Sequence, residues 1–227
     1  MAKKFIFFLI PLQILMVVGK YVNADTRCHQ LNDFGSNILI LGDSFFTSQD
    51  LINPCEDFTN VIAESFNTSN VYNLAIDGGR FIIEDQNYSK LDILSNYFHF
   101  NWDIIIIGGG ANDFLSCNAD TKCMEIMNDK VLEKLKNFLS KLNHQNLIIY
   151  FIYFDQVSSF APAEWKKNIS LGAGSYIKNI YQNLQNENQQ YKFINITPLI
   201  LDQPEYWLED GYHPSTKAYK LIPNFLN

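Results

Sequence analysis

The sequence is short of positive charge and of cysteine, and each scarcity excludes something. Its 227 residues carry 17 lysines and arginines against 24 aspartates and glutamates, a formal net charge of -7. No basic cluster is present that could follow a phosphate backbone, so nucleic acid is not an expected partner. The four cysteines, Cys28, Cys55, Cys117 and Cys123, form no C-x-x-C pair, and no histidine pair lies nearby. A structural zinc site is therefore not expected. No internal repeat, linker or low-complexity tract divides the chain. The longest apolar run, Phe5 to Gly19, is shorter than the about 20 residues a membrane-spanning helix needs.

What is present suits one α/β domain with a sizeable core, since 47% of residues are hydrophobic and 15% aromatic. The first residues read separately. Lys3 and Lys4 precede the apolar run, and Val22 and Ala24 place small residues where a signal peptidase reads. This is the pattern of a secretory signal peptide over residues 1–24, leaving residues 25–227 as the domain. A retained anchor is the alternative. Cleavage removes three lysines and no acid, so the exported form, periplasmic or secreted, is more acidic still and has no membrane span. An even cysteine count in such a chain suggests disulfides, paired here by sequence proximity as Cys28–Cys55 and Cys117–Cys123. Asn67, Asn87, Asn168 and Asn195 head glycosylation sequons that matter only in a glycosylating host.

Five apolar runs read as strands: Asn37–Leu41, Val71–Ile76, Asp103–Ile107, Leu147–Phe154 and Tyr191–Ile196. Helical patterns lie between them, beginning at Pro54, over Thr121–Leu142 and from Gly174, and a last one follows Pro214, ended or kinked at Pro223. Strands alternating with helices imply a parallel sheet, which binds ligands beyond the carboxyl ends of its strands.

Four short motifs fall there. After the first strand, Gly42 and Asp43 precede Ser44, whose hydroxyl is either a nucleophile or a helix N-cap. After the second, Gly78 and Gly79 offer a backbone N–H, or a plain turn. After the third, three glycines precede Asn112, whose amide can stabilise an oxyanion. Near the C-terminus, Asp210 and His213 lie three apart around a glycine, so one turn brings carboxylate to imidazole. His29, His99 and His144 have no acid at that spacing and read as surface residues.

Together "GDS", "DGG", "GAND" and "DGYH" resemble, in order and spacing, the SGNH hydrolases, also called GDSL-type esterases, over nearly the whole mature chain. The resemblance implies a three-layer α/β/α sandwich, flavodoxin-like, with a five-stranded parallel sheet. It implies Ser44 as nucleophile, the N–H groups of Ser44 and Gly78 with Asn112 as oxyanion hole, His213 as base and Asp210 as its orienting acid. No metal or other cofactor is implied. Phe45 stands where lipase-like members carry leucine, and Gly79 is an alternative donor to Gly78. Phe46 breaks the G-x-S-x-G elbow, which argues against the α/β-hydrolases proper. The expected substrates are lipid acyl esters, lysophospholipids or acyl thioesters, with Phe45, Phe160 and Trp165 as candidate apolar walls. The rivals are a carbohydrate O-acetylesterase using the same residues, an inactive surface-binding module, and a metal phosphoesterase on Asp43, Asp113 and His213.

Overall fold

The computed structural model describes residues 22–23, 28, 35–47, 53–82, 100–142, 146–163, 166 and 173–226. The apolar run 5–19, the sequons at Asn87 and Asn168, Trp165, and His29, His99 and His144 lie outside the described residues.

The apolar runs become strands because branched side chains fit a pleated surface buried on both faces. β1 is Val22–Asn23, β2 Ile38–Leu41, β3 Val71–Asn73, β4 Ile104–Gly108, β5 Ile148–Tyr153 and β6 Tyr191–Asn195. Their order in the sheet is β1-β3-β2-β4-β5-β6. β2 to β6 are all parallel, as the alternating pattern implies. β1 is an addition to that expectation, two residues paired antiparallel with β3 at the sheet's edge.

Side-chain alternation along each strand feeds two cores, one on each face of the sheet. Leu39, Leu41, Ile105, Ile107, Ile149 and Phe151 point to one, where they meet helices α4 (Thr121–Leu139) and α5 (Gly174–Glu187). Ile38, Ile40, Ile104, Ile106, Tyr150 and Ile152 point to the other, against α2 (Phe58–Phe66) and the C-terminal segment. The result is three layers.

One helix expectation shifts, and the break expected at Pro223 in the last helix is present. The segment from Pro54 opens as a 3-10 turn, Pro54–Glu56, and α2 begins only after Asp57. Asp57 caps it by accepting the Asn60 N–H at 2.7 Å, an interaction worth about 1 kcal/mol in typical helices. The last helix is not continuous: it runs Thr216–Tyr219, and a 3-10 turn over Ile222–Phe225 follows, because Pro223 cannot supply a helical N–H. The structure links Cys28 to Cys55 and Cys117 to Cys123.

The strand order positions the site. The chain steps outward from β2 to β3, then crosses back to β4 on the other side of β2. The loops leaving β3, β2 and β4 therefore emerge side by side at one end of the sheet, at its topological switch point.

Candidate active site

Helix α1, Ser44–Thr47, starts directly after β2. Its cap is Asp43, whose Oδ1 accepts the Phe45 N–H at 3.1 Å and whose carbonyl accepts the Phe46 N–H at 3.0 Å. The capping role that competed for Ser44 is thus filled by its neighbour. Ser44 remains half-buried at the first helical position, and among the described residues no hydrogen bond uses its N–H.

The loop after β3 is held at its start by the Ile76 N–H on the Gly42 carbonyl at 3.1 Å. A turn closes where the Gly79 N–H meets the Ile76 carbonyl at 2.9 Å. That bond occupies Gly79, so of the two glycines Gly78 is the one whose N–H is left without a partner among the described residues. Gly78 is exposed, and nothing lies within 4 Å of where a Cβ would stand.

After β4, helix α3, Ala111–Leu115, carries Asn112. Its Nδ2 donates to the Gly79 carbonyl at 3.2 Å and, more loosely, to Asp43 Oδ2 at 3.4 Å. The amide is thereby aimed between the other two loops. Asp43 is 4% exposed. A side chain on Gly109 would start 2.6 Å from Asp43 Oδ2, and at φ +104° only glycine is comfortable there.

The fourth motif is a self-contained turn. Asp210 Oδ1 accepts the N–H groups of Tyr212 at 2.8 Å and His213 at 2.9 Å, while Oδ2 lies 2.5 Å from His213 Nδ1. Burial alone raises the Asp210 pKa, but the hydrogen bonds from His213 and Tyr212 and the charge of His213 outweigh it, and the carboxyl titrates below its ordinary range. With Nδ1–H held by the carboxylate, Nε2 is the nitrogen left to accept a proton. Gly211, at φ +66°, lets the turn lie against the loop after β5, where a side chain would meet Ser158 Oγ at 2.4 Å. Ser158 fixes this contact by donating both N–H, at 3.1 Å, and Oγ–H, at 2.7 Å, to the Gly211 carbonyl.

Tyr212 marks where the motifs meet. Burial first, and then the charges of Asp43, Asp210 and Asp77, push its hydroxyl well above the ordinary tyrosine value. These three acids come from the first, fourth and second motifs, and the charge of each acts on this one hydroxyl. Ring contacts make the same connection: Phe45 stacks on Phe154 at 4.7 Å, Phe154 meets Tyr212 edge-on at 5.9 Å, and Tyr212 meets the His213 ring at 4.7 Å. Tyr219 completes it by donating its hydroxyl to the Phe45 carbonyl at 2.8 Å. Among the described residues no hydrogen bond joins Ser44 to His213; in unliganded hydrolases that contact is often long.

The candidate walls separate. Phe45 is 4% exposed and packs into the core beneath Ser44, a correction to its reading as a pocket wall. The reason is α1's geometry: following the half-buried Ser44, it turns Phe45 and Phe46 inward, where Phe46 stacks on Phe58 at 4.4 Å. Phe160 is 45% exposed, and its ring comes within 2.8 Å of the space a Gly211 side chain would take, beside the His213 turn. Two contributors have no place in the hydrolytic site from the sequence alone, although one of them, Asp113, closes the "GAND" motif. Asp113 was readable only as a possible metal ligand, yet it is 1% exposed with its oxygens on the N–H groups of Phe81 and Ile82. Ser158 is an unremarkable serine in a loop, and its contact spans 53 residues of sequence.

Comparison with known proteins agrees with this fold. The fold matches that of a carbohydrate acetylesterase family member from Sinorhizobium meliloti, with a TM-score of 0.60 at 15% identity, over 84% of this chain and 95% of that one. It also matches a lipase from a goat rumen metagenome, with a TM-score of 0.60 at 19% identity, over 83% of this chain and 94% of that one. At these identities the likeness concerns the fold alone. Among curated proteins no sequence match is found. The profile of the GDSL-like lipase/acylhydrolase family, however, matches residues 38–225, from the first residue of β2 to the last turn, and the chain is a member of that family.

Proposed function

We propose that this family member is an exported serine ester hydrolase in which Ser44, His213 and Asp210 form a catalytic triad. The observation that carries the reading is the Asp210–His213 pair. A carboxylate anchored by two backbone N–H groups holds Nδ1 and leaves Nε2 as base, on a turn that shares Tyr212 with the Ser44 loop. His213 takes the Ser44 proton as the oxygen attacks the acyl carbon. The resulting oxyanion is held by the N–H groups of Ser44 and Gly78 and the Asn112 amide. Proton return from His213 releases the alcohol or thiol, and water repeats the cycle on the acyl-enzyme.

The proposed substrates are fatty-acyl esters, lysophospholipids or acyl thioesters. Phe160 supports this, as an exposed aromatic ring beside the base. Export is supported by the two disulfides, and among the described residues no helix is long and apolar enough to cross a membrane. Cleavage after Ala24 removes β1 but leaves the five parallel strands intact.

The test is covalent labelling with an organophosphonate and turnover of aryl esters from acetyl to palmitoyl. The adduct is expected on Ser44, with rates rising beyond acetyl and Phe160→Ala flattening that rise. An adduct elsewhere, or none on active protein, overturns the triad. Acetyl-only activity, with acetate release from an acetylated glycan, overturns the lipid reading in favour of a carbohydrate esterase.

A further inference from the structure

We propose that Asp113 is a positioning residue that sets the Gly78 N–H in the oxyanion hole, an inference that rests on the serine-hydrolase reading above. Residues 74–82, which follow the end of β3 at Asn73, form no helix or strand. The start of this loop is tied to the sheet by the Leu74 N–H on the Ile40 carbonyl at 2.9 Å and the Ile76 N–H on the Gly42 carbonyl at 3.1 Å. Beyond the Ile76–Gly79 turn, the side-chain bonds to this loop among the described residues come from α3. Asn112 Nδ2 donates to the Gly79 carbonyl at 3.2 Å. One residue on, Asp113 Oδ2 accepts the Phe81 N–H at 2.9 Å and Oδ1 accepts the Ile82 N–H at 2.7 Å. The loop is therefore gripped at both ends, by Gly42 before the turn and by α3 after it, and Gly78 stands between the two grips.

The charge and burial of Asp113 fit a clamp. A carboxylate that is 1% exposed is costly unless its oxygens are occupied, and here both are occupied by backbone donors. These bonds join residues 31 and 32 positions apart, so they set tertiary geometry rather than cap their own helix. Phe81, whose N–H is one of the two donors, is itself 1% exposed. The two adjacent side chains of α3 thus divide the work: Asn112 offers an amide to the oxyanion, and Asp113 places the loop that offers the other donor.

An asparagine at 113 can accept only one of the two N–H groups and turns its NH2 towards the other. In Asp113→Asn, kcat is expected to fall on the order of 10-fold to 100-fold with KM within about twofold, since the lost precision matters in the transition state. Affinity for an alkyl boronic acid, whose tetrahedral adduct on Ser44 places an oxygen in the hole, should fall by the same factor. Rates are taken per site titrated with the phosphonate, so that partial unfolding does not count as lost catalysis. A melting temperature that drops while kcat per titrated site and boronate affinity stay at wild-type values means a purely structural role and overturns the proposal. Should the variant fail to fold, hydrogen exchange on the wild-type protein decides: slow exchange at the Phe81 and Ile82 amides supports the clamp, and exchange at the rate of an open loop overturns it. Wild-type protein that neither hydrolyses esters nor labels at Ser44 refutes instead the hydrolase reading on which the proposal stands.

Discussion

The two halves of the candidate site are built in opposite ways. The oxyanion half comes from three loops on adjacent strands, and its carboxylates are buried: Asp43 is 4% exposed and Asp113 1%. Its bonds are long-range, from Asn112 to Asp43 and Gly79 and from Asp113 to Phe81 and Ile82. The acid–base half is one short turn after α6 (Thr197–Ile200) and a 3-10 segment; the bonds that join Asp210 to His213 and Tyr212 span two or three residues, and Ser158 ties the turn to the loop after β5. Its side chains are open, 25% exposed at His213 and 42% at Asp210. The difference follows from the chemistry. A group that stabilises developing charge works best as a fixed dipole shielded from water. A base must exchange protons in every cycle, so it sits where water reaches it.

If the comparison is right, the two halves fail differently when altered. The largest loss is expected from Ser44→Ala or His213→Ala, each lowering kcat by about 10⁴–10⁶ and abolishing or sharply slowing phosphonate labelling, with the melting temperature nearly unchanged. Residual turnover near wild type in either variant would dissolve the acid–base half. Asp210→Asn should cost less, about 10⁴ or below, because orientation is lost while the base remains.

Asn112→Ala probes the buried half. Steady-state rates should show kcat reduced by about 10²–10³ with KM little changed. Here a fall in stability should accompany the loss of rate, since the same amide holds the Gly79 carbonyl. A KM effect alone would place Asn112 in substrate binding instead.

A smaller effect is expected from opening the Cys117–Cys123 bridge, which joins α3's end to the first turn of α4. The paired Cys→Ser variant should lose about 2 kcal/mol in denaturant unfolding, the low end for so short a loop. Because the bridge braces only the far end of α3, kcat should fall by less than in Asn112→Ala. An equal fall would mean that the helix bearing Asn112 relies on the bridge for its position.

The smallest effect concerns pH. The native Asp210 pKa lies below its ordinary value, so its contribution to stability is present above the unfolded pKa of about 3.9. It is lost as pH falls through the native pKa. The stability gap between wild type and Asp210→Asn should therefore close as pH falls below about 4. Its partial exposure keeps the gap small. A gap that widens below about pH 4 would reverse the assigned shift.

Both the fold and the Asp210–His213 contact were legible in the sequence, and for one reason: their determinants are local. Apolar runs such as "DIIIIG" declare a strand buried on both faces without reference to the rest of the chain. Strand bounds accordingly shift little, as from Asp103–Ile107 to Ile104–Gly108. Asp210 and His213 meet through a three-residue turn, so spacing alone predicted the contact. The end of the final helix was less legible, because the patterned residues Leu221 to Phe225 suit a helix and a 3-10 turn alike until Pro223 is weighed.

By itself, then, the sequence determined the strands, the order of the four motifs and the identity of the groups that can do chemistry. Tertiary structure decided how those groups are held. It gave the cap of α1 to Asp43 and so left Ser44 unengaged as a cap, occupied the Gly79 N–H while leaving that of Gly78 without a partner among the described residues, and sent Phe45 into the core while leaving Phe160 exposed. It also turned Asp113 from a possible ligand into an anchor for a loop 31 residues away. Such choices depend on which backbone groups remain unpaired once the sheet has formed. That is a property of strand order and crossover, and no window of residues along the chain contains it.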